Sequence, residues 1–203
     1  WARGLNGTGV AVAVLDTGID FDRQKVSRHI ENAYYRVPGL TTESARSFLL
    51  DDTILPSGLT REEERQACRA LKGSMLRQEV YADDANHPGA TPDQIARALR
   101  PYSITEQNFT IRQLQPRGAN LHAIFFTHAR EAISHYYERS PSDPRIQHAL
   151  TLEVDDYGNI LKQAAIAYGR DVSAFSTQWD RDRQTTPLLT YTENRVTNAV
   201  EAV

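Results

Sequence analysis

A few carboxylates and imidazoles could do chemistry in this sequence. Val10 to Leu15 is a short apolar run rich in β-branched residues, led in by Gly7 and Gly9. It reads as a buried strand that delivers Asp16 to its end, just before Thr17 and Gly18. A carboxylate held there can orient a histidine as general base for a serine nucleophile. A lone carboxylate cannot run acyl transfer, so the plain reading of Asp16 is a strand end followed by a turn. The six histidines are His29, His87, His122, His128, His135 and His148. His122 and His128 fall in one expected strand on one face, too far apart to share a metal. His128 and His135 are expected on opposite faces if both are extended. No HxH or HExxH spacing occurs, and Cys68 is the one cysteine, so neither a zinc cluster nor an internal disulfide is expected. Structural histidines are the expectation, with no catalytic residue, no metal and no cofactor.

The acidic pairs Asp51-Asp52, Asp83-Asp84 and Asp155-Asp156 lack calcium-loop spacing. Asp155-Asp156-Tyr157-Gly158 reads instead as a hairpin turn. Phe125-Phe126 and Tyr136-Tyr137 could stack bases, but a net charge of -3 supplies no basic groove, so no nucleic-acid partner is expected. Gly7-Thr8-Gly9 precedes a strand, the wrong order for a dinucleotide turn. No apolar run approaches the ~18 residues that cross a bilayer, and no membrane insertion is expected. The chain opens on Trp1 and holds one methionine, Met75. It reads as a piece of a longer polypeptide.

The elements that must position these groups fall into three stretches: 1–21, a strand segment; 22–101, mixed α/β; and 102–203, an antiparallel hairpin array. Phe21 to Tyr35 is expected to be helical, from Val26, Ile30 and Tyr34 at steps of four. Thr41 or Thr42 caps a short helix over Glu43 to Leu50. Thr60 with Glu63 has capping-box spacing, Ala67 and Leu71 form an apolar stripe with Cys68 beside it, and Gly73 is the stop. Thr91 and Pro92 begin another helix, with Ile95, Ala98 and Leu99 as its buried face. Strands are expected at Met75 to Tyr81, Ser103 to Leu114, Leu121 to Thr127, Ala132 to Arg139, Ala149 to Val154, Ile160 to Tyr168 and Pro187 to Thr192, separated by Pro-, Gly- and Asp-rich turns. The fold class is mainly β, with two or three short helices in the N-terminal half.

Two resemblances follow. Gly9 to Asp20, GVAVAVLDTGID, is similar to the strand bearing the acidic triad member of subtilisin-like serine proteases. That family implies an HGT strand and a GTSM helix. His29 has no glycine after it, and Gly73-Ser74-Met75 runs on into Leu76-Arg77-Gln78. A protease fragment using Asp16 is the alternative reading. The longer resemblance covers Asp22 to Val203. LKGSMLRQEVYA (Leu71 to Ala82), PYSITEQNFTIRQLQPRG (Pro101 to Gly118), HAIFFTHAREAISHYYER (His122 to Arg139) and DPRIQHALTLEVDDYGNILKQAAIAYGR (Asp143 to Arg170) resemble the middle/C-terminal region of the B subunit of bacterial insecticidal Tc toxins, related to Rhs and YD-repeat proteins. The resemblance implies a non-enzymatic, secreted shell of β-sheet that encloses a cytotoxic effector. Its partners would be the toxin C component with its effector segment, and the A-component channel.

Overall fold

The computed structural model describes residues 10–16, 34–86 and 88–197. Most of the helix expected over Phe21 to Tyr35 lies outside these residues, as do His29 and His87. Its last two positions, Tyr34 and Tyr35, are not helical. Within the described residues seven strands form one antiparallel sheet in chain order: β1 (Val10–Asp16), β2 (Met75–Ala82), β3 (Ser103–Gln115), β4 (Ile124–Tyr136), β5 (Arg145–Val154), β6 (Ile160–Ala167) and β7 (Leu188–Glu193). Each strand pairs antiparallel with the one before it in the sheet; short turns join β3 to β4, β4 to β5 and β5 to β6, while helix-bearing connections join the others.

Among the described residues four helices decorate the sheet: α1 (Thr42–Arg46), α2 (Arg61–Arg69), α3 (Pro92–Ala98) and α4 (Gln178–Gln184). α2 starts as its sequence dictates. Thr60 Oγ1 accepts the Glu63 N–H, and Glu63 Oε2 accepts the Thr60 N–H at 3.0 Å. The helix and its exit turn bury Ala67 and Leu71 against Leu76 of β2 and Phe109 and Ile111 of β3, with Leu59 and Phe125 at the margin. Cys68 is only half-buried. Gly73, at φ +87°, takes the left-handed turn that a side chain would resist.

Three expectations are corrected. α1 is capped by Thr41 but stops at Arg46, short of Leu50; it buries nothing, and one unpacked turn has little to sustain it. α3 has the expected cap and Pro92 at its start, yet Ile95 is 48% and Leu99 74% exposed. Periodicity marks an apolar stripe but not a surface for it; what α3 meets is the 3-10 turn Asp84–Asn86. The segments Leu121 to Thr127 and Ala132 to Arg139 are one 13-residue strand, β4. Between them Arg130 is an extra residue, because Asn108 faces Glu131 while Phe109 faces Ala129. The bulge interrupts the alternation that marks a strand in sequence. α4 was not expected; Thr177 caps it by accepting the Asp180 N–H at 3.1 Å.

The bulge also resets which side chains share a face. His128 lies opposite Thr110 and His135 opposite Ile104, and those two β3 residues are an even number apart. His128 and His135 are therefore on one face, not two. It is the face away from α2.

Candidate functional site

That second face carries a buried polar cluster. Alternation along β2 brings Arg77 and Glu79 onto it, and antiparallel register sets Arg77 opposite Glu106 of β3. Arg77 Nε donates to Glu79 Oε1 at 2.7 Å, and its Nη1 to Glu106 Oε2 at 2.5 Å. Arg77 is 4% and Glu79 3% exposed. A guanidinium buried this deeply needs both carboxylates. The Tyr34 ring stacks on Arg77, 4.3 Å from the guanidinium carbon, and Tyr81 Oη donates to Glu79 Oε2 at 2.5 Å. Asn108 closes one end, donating to the Asp51 carbonyl and accepting the Glu131 N–H at 2.9 Å.

His135 extends the cluster along β4. Its ring stacks on Tyr137 at 5.9 Å. Burial, then the nearby Arg77 charge, then His148 push its pKa down to about 4, so it is neutral at pH 7. Burial raises the Glu106 carboxyl above its ordinary value, against the pull of Arg77. One strand over, His148 bridges Glu131 Oε2 at 3.2 Å and Tyr168 Oη at 3.0 Å. Residues 34–50 cover the cluster and leave a cavity of about 200 Å³, lined in part by Tyr35, Leu40, Phe48, Ile104, His135 and Ile146.

This arrangement organises charge; it does not assemble a nucleophile. Asp16 ends β1 opposite Met75, after an irregularity in the register. His122 lies in the turn before β4, not in a strand, with its ring 3.4 Å from Gln66 Nε2. His128 contacts the Ala129 carbonyl at 3.0 Å. One member of each acidic pair is engaged within the fold: Asp52 by the Thr53 N–H, Asp84 by Arg139, Asp156 by Arg112. Asp155 accepts the N–H groups of Tyr157 and Asn159, as a hairpin turn requires. Among the described residues no group of three His, Cys, Asp or Glu could hold a metal ion. The Arg77–Glu79–Glu106 cluster was missed in sequence. Its members sit on strands whose register is invisible beforehand, and alternation within MLRQEVY was its one local signal.

Residues 66–203 match the family described as the insecticide toxin TcdB middle/C-terminal region. The chain belongs to that family. The sheet is similar to part of the crystal structure of TcdB2-TccC3 without its hypervariable C-terminal region, with a TM-score of 0.66 at 21% identity. That match covers 94% of this chain and 9% of the other. It is similar too to part of the Photorhabdus luminescens Tc holotoxin pore, with a TM-score of 0.57 at 20% identity, over 81% of this chain and 7% of that one. At such identities the likeness is one of fold, and the chain spans less than a tenth of either toxin chain. No curated protein matches it. Nothing in these matches supports the subtilisin-like reading of Asp16. No helix among the described residues is long and apolar enough to cross a membrane.

Proposed function

We propose that this member of the TcdB family is a length of wall in the β-sheet shell of an insecticidal toxin B component. The shell, completed by the C component, encloses a cytotoxic effector and yields it to the A-component channel. The role is structural, not enzymatic, and the assembly is secreted. Neither nucleic acid nor direct insertion into a membrane enters it. One observation carries the reading: seven strands follow one another in strict chain order, and among the described residues the outer edge of β7 pairs with no strand. A sheet built this way grows by adding hairpins, and every added strand pairs the edge left by the last. The similar sheets lie in structures described as TcdB2-TccC3 and as a Tc holotoxin pore. The stretch 22–101 then supplies bracing and 102–203 supplies wall.

Deletion of Tyr102 to Arg170 from the full B chain, co-expressed with the C component, is the test. Electron micrographs should show no closed complex. A normal shell after the deletion overturns the proposal.

A further inference from the structure

Residues 34–50 are tied to the sheet at both ends by carboxylates. The Tyr35 N–H donates to Glu79 Oε1 at 3.0 Å, and the Leu50 N–H donates to Glu106 Oε1 at 2.9 Å. These are the two carboxylates that hold Arg77. Between the ties the segment roofs the cavity of about 200 Å³, with His135 in the floor and Tyr35 Oη buried without a hydrogen-bond partner. α1, in the middle of the segment, buries no residue, so the roof adds little apolar packing of its own.

We propose that residues 34–50 form an acid-released strap, closed over the sheet at neutral pH and let go when His135 takes up a proton. An imidazolium at His135 would face Arg77 across the cluster. Glu79 and Glu106 are already engaged by Arg77 and by the two strap amides. On β4, Glu131 is held by Arg130 and His148. The remaining polar or charged neighbours are Tyr81 of β2, Tyr137 beyond β4, His148 of β5, and Tyr34, Tyr35, Arg36 and Arg46 of the strap. The floor therefore gains a buried cation with no carboxylate of its own. Lifting the strap hydrates the ring and returns it toward its ordinary value of 6.5, from about 4 when covered. Acid thus favours the open strap as pH falls from 6.5 toward 4. Glu106 acts as a counterweight. Burial raises its pKa, so its own protonation favours the closed state. This inference does not depend on the shell reading.

Hydrogen exchange across residues 36–49 of the full chain, corrected for intrinsic rates, tests it between pH 7 and pH 5. Protection should fall by up to roughly twentyfold, the span set by the two His135 values. His135→Phe keeps the stack on Tyr137 and removes the titration, so its profile should be flat or reversed. His135→Gln, polar and non-titrating, should match it should the phenyl ring disturb packing. Glu106→Gln should steepen the fall. A parental pH profile in both His135 variants overturns the proposal. So does loss of β3 protection in step with the strap, since that would be unfolding of the sheet.

Discussion

The two ends of the sheet are built on different principles. β2, β3 and β4 carry the buried side chains: Leu76, Phe109 and Ile111 under α2, Arg77, Glu79, Asn108 and His135 on the other face. β5, β6 and β7 contain no buried residue at all. They hold together by ladder hydrogen bonds, the Asp155 turn, and the Arg170–Asp143 ion pair that pins the long connection between β6 and β7. In the first region the sheet is braced, covered on both faces. The second is bare sheet, and bare sheet suits a wall whose faces meet other surfaces.

The sharpest way to break this contrast is at Arg77. Arg77→Ala leaves Glu79 and Glu106 buried without their cation and should cost about 3–5 kcal/mol. Urea unfolding of the chain measures it. A loss below ~1 kcal/mol would show that the cluster is hydrated and the bracing is not where we place it.

Leu71→Ala comes next. Leu71 is fully buried in the α2 core, and its truncation should cost about 2–5 kcal/mol. The matching change in the bare region, Leu150→Ala on β5, should cost less than ~1.5 kcal/mol, because Leu150 is only half-buried. Equal midpoint shifts in urea for the two variants would erase the distinction between the regions.

Gly169 tests how the bare region is held. A Cβ there would lie 1.9 Å from the Thr185 carbonyl oxygen, which is backbone and cannot swing aside. Gly169→Ala should cost about 1–3 kcal/mol of local strain. With no core beneath, the effect should appear as faster hydrogen exchange over residues 170–186, with β2 and β3 unchanged. Exchange rising equally in β3 would mean that the two regions unfold as one unit.

Legibility in sequence divides along the same line. The capping box at Thr60, the Thr91 cap, the Gly73 stop and the Asp155 turn were readable because each is closed within a few residues. So were most strands, from alternation and punctuation. What escaped depends on partners distant in the chain. The exposure of Ile95 and Leu99 reflects a surface that α3 does not meet, and the unity of β4 depends on a bulge defined by β3. The Arg77 cluster needs the register between strands whose paired residues, Arg77 and Glu106, are widely separated in the chain.

Acid gives a smaller, signed effect on the braced side. The Arg117 N–H, and after it the N–H and hydroxyl of Thr60, pull Glu63 down to about 2 from its ordinary 4.5. A depressed carboxylate adds stability above the unfolded value, and loses it as pH falls through the folded one. Between pH 4.5 and pH 2 the chain should lose stability that Glu63→Gln has already given up. Acid unfolding followed by circular dichroism should therefore be shallower in the variant. Parallel curves would mean that the cap is not formed in solution.

The smallest effect is expected at the edge, where it discriminates most. Leu189 is 69% and Tyr191 53% exposed on β7, both on the face shared with His148 and Ile166. Leu189→Ala removes little area that folding takes from water, so the chain by itself should change by less than about 0.5 kcal/mol. In the assembled toxin the wall reading puts another surface against this face or edge. The same substitution should then lower the yield of closed complex well beyond its effect on the chain. Measuring both in parallel, by urea unfolding and by particle counts in electron micrographs, separates intrinsic stability from assembly. Were the two losses equally small, β7 would be a finished edge, and the bare end of the sheet a surface that needs no neighbour.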